Sequence, residues 1–337
     1  MHHKPLKSAV VGLGVGAQHA LAILKNPLCD LSRIVDFDEE KINNFISTHA
    51  LLEVKKNSFE DVIQDKEINL VSIASFDGHH YEQVISCLKV NKNVFVEKPL
   101  CQTKEQLIYI SKEWKKVDCA IASNLVLRTA PLYLYIKDLI DNGKLGEIYA
   151  FDGDYLYGRV QKITDGWRKD VENYSVMEGG GIHMVDLMLW LTRQKPLAVV
   201  SQTNKIVTIN SNFRYHDFHS ATFTFESGLI GRITANFGCT HIHQHVVRIF
   251  GTKGTFIYDD MGPRIYWSRD QNSQPEFIEK SPKPNTKGEL IHKFVDLIIK
   301  KDFYNQAQME FNLMSVVLAA EESIHSNQPL KIEYILC

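Results

Sequence analysis

Ala9-Val10-Val11-Gly12-Leu13-Gly14-Val15-Gly16-Ala17-Gln18-His19, close to the amino terminus, is the stretch on which the fold turns. An apolar run of strand length gives way to three glycines in five positions, then to a helical pattern over Ala17–Leu24. A G-x-G turn after a first parallel strand lets backbone approach a pyrophosphate, which then rests on the N–H groups that open the helix. The sixth position of the G-x-G-x-x-G fingerprint is Ala17, an accepted variant, and Gly16 is an additional glycine. Gly12, Gly14, Val15 and Gly16 are therefore candidate dinucleotide contacts. The basic Met1–Lys7 followed by the apolar Ser8–Ala17 also has the outline of a secretory signal, but glycines at this density serve no purpose there.

Working outward, short apolar runs at Ser8–Val11, Ser32–Val35, Leu70–Ala74, Asn93–Val96 and Cys119–Ala122 alternate with helical patterns. The helices are Ala17–Leu24, Glu39–Ser47, Phe59–Gln64, His79–Val90 and Thr103–Trp114, the last opening on a Thr103/Gln106 capping box. Such alternation predicts a doubly wound parallel sheet. Asp36 ends the second strand 22 residues after Gly14, close to the ~20 expected of the acid that binds the adenosine ribose. Phe37-Asp38-Glu39 offers no cation to a 2′-phosphate, and Arg33 is the only positive charge nearby, so NAD is favoured over NADP.

After about residue 123 the texture changes. An amphipathic helix at Pro131–Asp141 is followed by Glu147–Leu156 and by strand-like Ala198–Val207, Ser220–Phe225, Ile230–Asn236, His245–Phe250 and Thr255–Tyr258. Helices return at Gly181–Leu191, Leu290–Lys300 and Gln306–His325, and Ser268–Thr286 is a surface excursion. The expected fold is therefore a Rossmann domain over 1–122, then an α/β domain over 123–337 with an open, mainly antiparallel sheet, the C-terminal helix packing back on the first domain. On the strands 220–236, Ala221, Phe223 and Phe225 alternate against Ile230, Arg232 and Thr234, so both faces are expected to mix apolar and polar groups.

Composition bounds the function. The 337 residues are 44% hydrophobic with a net charge of −2 and no long run of one sign, which argues against nucleic acid or an anionic membrane as partner. No stretch approaches the ~18 apolar residues of a membrane span. Six scattered cysteines without a C-x-x-C pair read as reduced thiols, giving the expectation of a cytoplasmic protein.

Val71-Ser72-Ile73-Ala74-Ser75, His80 and Asn93-Val94-Phe95-Val96-Glu97-Lys98-Pro99-Leu100 resemble the fourth- and fifth-strand signatures of the Gfo/Idh/MocA oxidoreductases, the glucose–fructose oxidoreductase and inositol dehydrogenase family. The E-K-P tripeptide is the most specific part. Asn124, Arg128 and Pro131, the Gly179-Gly180-Gly181 run before His183 and Asp186, Phe250-Gly251-Thr252-Lys253-Gly254 and Ala319-Ala320-Glu321-Glu322-Ser323 extend the resemblance to the end of the chain. It implies an NAD-dependent oxidoreductase acting on a hydroxyl of a sugar, nucleotide sugar or cyclitol. In that reading Lys98 polarises the reacting oxygen, His183 is the acid/base, and Glu97 binds the nicotinamide ribose. Ser75 and His80 join the cofactor contacts, and the bond before Pro99 is cis. The rival readings are a dinucleotide-binding regulator without enzymatic activity and a reductase of an unsaturated or imine substrate on the same scaffold.

Two departures stand out. The glycine loop is one residue short, so His19 comes early, with the loop's function expected to persist. The aspartate that the family carries one helical turn before the histidine is replaced by Gly179; Glu178 lies on a different face by α-helical periodicity, so the role is not transferred to it. Arg128, Tyr157, Arg159, Trp167 and Arg168, with Tyr155, Asn124 and Asp186, form the candidate substrate set; rings that stack on sugars and arginines that chelate phosphate suit a phosphorylated or nucleotide-linked sugar. His241, His243 and His245 would share one strand face, yet same-face neighbours ~7 Å apart cannot converge on one ion without a bend, so no metal is expected. The open sheet, packed on its copy across a two-fold axis, predicts a homodimer or homotetramer through residues 198–258.

Overall fold

The computed structural model describes residues 4–51, 53–56, 58–326 and 328–336; Cys337, counted above among the reduced cysteines, lies outside them. The chain forms two compact units. The first comprises the described residues up to Val126, then Pro284–Met314 and the residues from Ile335; the second comprises Leu127–Lys283 and Ser315–Tyr334. A single cut after residue 122 does not describe this division, because the helix Leu290–Lys300 inserts Ile291, Phe294 and Val295 into the core of the first unit.

The first unit carries β1 (Leu6–Val11), α1 (Gly16–Lys25), β2 (Cys29–Val35), α2 (Glu39–Thr48), β3 (Lys55–Lys56), α3 (Phe59–Gln64), β4 (Leu70–Ile73), α4 (His80–Lys89), β5 (Asn93–Val96), α5 (Lys104–Trp114) and β6 (Ile121–Ser123). Its sheet has the order β3-β2-β1-β4-β5-β6, all parallel. The strands are buried on both faces, Ala9 and Val10 completely, which is why they read as continuous apolar runs. Asp38 caps α2 by accepting from the Lys41 backbone, and Glu39 and Glu40 follow where the helix dipole favours acids. At α5 only half of the expected capping box forms. Thr103 Oγ1 accepts from the Gln106 backbone, while the Gln106 side chain turns to the Gln102 N–H.

The second unit carries α6 (Pro131–Asp141), β7 (Ile148–Leu156), α7 (Gln161–Thr164), α8 (Ile182–Thr192), β8 (Ala198–Asn204), β9 (Phe218–Thr224), β10 (Ile230–Asn236), β11 (Gln244–Gly251), β12 (Thr255–Asp259), β13 (Gly262–Tyr266), β14 (Glu276–Phe277) and β15 (Leu330–Lys331). The order is β14-β13-β12-β11-β7-β10-β9-β8-β15, antiparallel throughout except for the parallel pair β7/β10. Helix α8 lies close against this sheet. A Cβ at Gly153 on β7 would stand 3.0 Å from Met184 Cβ, and one at Gly231 on β10 would meet the Met188 sulfur. Only the open face mixes as expected, with Ile230 and Val200 exposed on it beside polar side chains. Ala221, Phe223, Ile233 and Ala235 are fully buried on one face, whereas Arg232 bridges Asp152 and Thr234 bonds Asp154 on the other. Among the described residues no helix is long and apolar enough to cross a membrane.

Candidate active site

The glycine loop divides its labour by position. Gly12 has φ +87°, and a Cβ there would stand 2.4 Å from the Ala74 carbonyl oxygen, so only glycine fits. Around Gly14 the space is open to 4 Å, leaving room for a pyrophosphate. A Cβ on Gly16 would come 3.0 Å from Ala74 Cβ and 3.2 Å from Val10 Cγ1, so the extra glycine brings α1 close to the strands. Val15 precedes α1, whose first turn has neither a side-chain cap nor an acid. Those N–H groups can therefore meet an anion, and the loop fits a dinucleotide despite its missing residue.

Asp36 is held by two backbone donors, Leu13 N to Oδ2 at 2.6 Å and Asp38 N to Oδ1 at 2.9 Å. Arg33, the cation singled out in the sequence, is spent on Asp65. The charge that does approach is Lys41, whose Nζ is 3.9 Å from Asp36 and 4.0 Å from Asp38. Its position follows from α2, which brings a residue one turn in back toward its own N-terminus.

Beyond β4 and β5 lies a hydrogen-bonded cluster. The fully buried His19 contacts Ser72 Oγ at 2.8 Å through Nδ1 and Glu97 Oε1 at 3.2 Å through Nε2. Asn124 Nδ2 reaches Glu97 Oε1, the Lys287 carbonyl oxygen and His19 Nε2 at 2.7, 2.7 and 2.9 Å. Asn124 thus supports the Glu97 carboxylate, whereas the sequence groups it with the substrate residues. Burial pushes the Glu97 carboxyl up, but the His19 hydrogen bond, the charges of His19 and Lys98, and the Asn124 amide bring it down to about 2. Next to it, Lys98 is partly buried and its bond to Pro99 is cis. His80 was grouped with the cofactor contacts, yet it is fully buried, with Nδ1 2.7 Å from the Pro99 carbonyl oxygen and Nε2 3.2 Å from that of Ser75. It ties two loops together, and Ser75 Oγ donates to Gln83.

In the second unit, α8 does not start as an ordinary helix. Met177–Gly181 form a π turn, with the Ile182 N–H reaching back to the Met177 carbonyl. Such a turn aligns a residue with its fifth successor rather than its fourth. The α periodicity applied above to Glu178, which is buried, is therefore interrupted between it and His183. The glycines permit this. A Cβ on Gly179 would stand 2.2 Å from Tyr174 Oη, and one on Gly180 2.3 Å from the Tyr155 ring.

Rings surround His183. Tyr155 stacks on it at 6.1 Å between centroids, and His245 lies edge-on at 6.0 Å. Tyr157 packs on Phe237 at 4.4 Å, and His243 is 5.0 Å from His245. The three histidines do not share a face: β11 begins at Gln244, and His241 stays in the preceding loop against Asp260. Among the described residues no group of three His, Cys, Asp or Glu side chains has metal-binding geometry. Of the arginines, Arg159 lies over Tyr157 at 4.6 Å, and Arg168 over Trp167 at 4.5 Å, donating to Tyr174 Oη at 3.0 Å. Arg128 belongs elsewhere. Its Nε and Nη2 grip both oxygens of the buried Asp186 at 2.5–3.1 Å, so these two residues satisfy each other instead of facing a substrate. A one-dimensional pattern could name both but not their pairing.

Comparison with known proteins adds the following. The family described as "Oxidoreductase family, NAD-binding Rossmann fold" matches residues 6–125, and the GFO/IDH/MocA C-terminal domain matches residues 133–257. An uncharacterised oxidoreductase, YrbE of Bacillus subtilis, is 24% identical over 277 residues, 77% of this chain and 75% of that protein. The myo-inositol 2-dehydrogenase of Thermotoga maritima is 24% identical over 268 residues, covering 76% of each. Among solved structures, levoglucosan dehydrogenase in complex with NADH superposes with a TM-score of 0.83 at 19% identity, covering 98% of this chain and all of that one. At that identity the likeness speaks for the fold.

Proposed function

Because the chain belongs to the Gfo/Idh/MocA oxidoreductase family, with an NAD-binding Rossmann domain, we propose that it oxidises a ring hydroxyl of a sugar, nucleotide sugar or cyclitol. The observation that carries this reading is the wall of rings about His183, formed by Tyr155, Tyr157, His243 and His245, because the C–H faces of a sugar ring stack on such surfaces. The named activities of the inositol and levoglucosan dehydrogenases agree with it.

NAD, when bound, accepts the hydride. Gly12, Gly14, Val15, Gly16 and the start of α1 hold its pyrophosphate, Asp36 the adenosine ribose, and Glu97 the nicotinamide ribose. Glu97 is suited to this because His19 and Asn124 engage Oε1 and keep the group ionised, while Oε2 has no hydrogen-bond partner among the described residues. The Lys98 ammonium donates to the reacting oxygen and stabilises its growing negative charge. An unprotonated ring nitrogen of His183 takes the hydroxyl proton as the hydride leaves carbon, giving a ketone. Glu178, buried in the turn before His183, is the nearest acid in the chain to the position that Gly179 occupies.

Lys98→Met and His183→Asn should each lower kcat by about 10²–10⁴ while leaving the NADH dissociation constant unchanged. Turnover of a panel of aldoses and cyclitols with NAD, beside NADH fluorescence titration, measures both. Near-normal turnover in either variant removes that residue from its role.

A further inference from the structure

Among the buried side-chain polar atoms of the second unit that have no hydrogen-bond partner, two lie on the ring wall. Arg159, just past the end of β7, offers its guanidinium above the Tyr157 ring at 4.6 Å, and its Nε is sealed from solvent without a hydrogen-bond partner. His245 stands on β11 directly opposite Tyr155 of β7, and its Nε2 is equally sealed and unpartnered. Both lie on the ring wall: His245 is 5.2 Å from Tyr155 and 6.0 Å from His183, and Tyr157 is 6.1 Å from Tyr155. A buried donor without an acceptor is costly. An unpartnered guanidinium N–H, with an unpartnered imidazole nitrogen that can donate in one tautomer, on one ring wall marks the place of an acceptor that arrives with a ligand.

The charge around them has one sign. The charged groups that act on His245 are His243, Lys283 and Arg159, and those that act on Tyr155 include Arg159 and Arg168. Strand alternation explains where the acids went. Tyr155 and Tyr157 point to one face of β7, while Asp152 and Asp154 point to the other, where Arg232, Thr234 and Arg248 engage them. The alternation of β7 thus sends its own acids to the open face and leaves its tyrosines, with Arg159 beyond them, on the side of His245.

Resting on the functional reading above, we propose that the substrate carries an oxyanion, a carboxylate or a phosphate, which Arg159 binds with its guanidinium and His245 supports through Nε2. The substrate is then a sugar acid or a sugar phosphate rather than a neutral sugar or cyclitol. Arginine provides the planar fork that such a group needs, and the Tyr157 ring beneath holds the fork flat.

The test is binding to the NADH-loaded protein by titration calorimetry, with matched probes: glucose, glucuronate and glucose 6-phosphate, and the same trio built on galactose and on mannose. At least one anionic probe should bind 10-fold or more tightly than its neutral partner, and whether it is the uronate or the phosphate tells the two sources apart. Arg159→Met should abolish that advantage, Arg159→Lys should restore part of it, and His245→Gln should reduce it several-fold. If no anionic probe in any trio gains 10-fold, or if the gain survives Arg159→Met, the proposal is overturned. Oxidation of neutral sugars with NAD in that event would leave the functional reading standing. Absence of turnover for every probe, with the binding preference intact, would count against the functional reading alone.

Discussion

Asp36→Asn should erase the preference for NAD over NADP. A ribose held by Asp36 would carry any 2′-phosphate at about 5 Å from the carboxylate, where two unit charges repel by roughly 3 kcal/mol at an effective dielectric of ~20. Lys41, 3.9 Å from the same carboxylate and 42% exposed, returns part of this, about 1 kcal/mol at most for so open a pair. The difference, about 2 kcal/mol, corresponds to roughly 30-fold tighter binding of NAD. Removing the charge while keeping one acceptor oxygen should bring the two dinucleotides within about 3-fold of each other, since the repulsion goes and the ribose hydrogen bond weakens. Fluorescence titration with NADH and NADPH reads the ratio directly, and thermal unfolding checks that the Leu13 and Asp38 N–H groups still find a partner. Lys41→Ala should move the ratio the other way. Equal affinities in the unaltered protein, or an unchanged ratio in a folded Asp36→Asn variant, would refute the electrostatic argument.

Three further outcomes are expected. Asp186→Ala removes the buried carboxylate that Arg128 grips, and should cost about 3–5 kcal/mol in urea unfolding, most of it recovered in the Arg128→Met/Asp186→Leu double variant. Burial, together with the positive charges of His243, Lys283 and Arg159, holds the His245 imidazole down at about 3. Between that value and the ordinary ~6.5 the unfolded chain binds a proton that the folded one refuses, so stability falls with falling pH by roughly 1 kcal/mol per unit; His245→Gln should flatten that slope between pH 6.5 and 5 in urea titrations. Light scattering should find a dimer or tetramer, and Thr222→Arg on the open face of β9 should shift it toward monomer; a stable monomer at micromolar concentration, or an interface made by residues 8–120, would contradict the sheet contact.

The parts of the site that a sequence reader can reach are local ones. The glycine loop, Asp36 and the strand–helix alternation follow from neighbours within a few residues, and the structure places them where spacing put them. What the sequence hides depends on register or on distant partners. Lys41 approaches Asp36 only because α2 folds it back, Asn124 and His19 meet Glu97 from 27 and 78 residues away, and Arg128 finds Asp186 across 58. The π turn is the hardest to foresee, since one extra residue in the turn breaks the α periodicity by which faces are assigned before His183. Strand β13 was missed as well, being a five-residue segment interrupted by Pro263.

The three-glycine turn also bears on how this scaffold could be altered. At Gly179, Gly180 and Gly181 a methyl group would collide with Tyr174, Tyr155 and Met177, each within 2.3 Å. The seat of His183 is therefore moulded by its neighbours' bulk, and a mutational library that touches this turn should be populated mostly by inactive clones. Arg159 lies on β7's outgoing loop, outside that turn, and His245 on β11 borders it through the Tyr155 ring. With the anion proposal as the premise, diversity aimed there should change which compound is accepted while the glycine turn stays intact, separating residues that an engineer can vary from those that must be inherited.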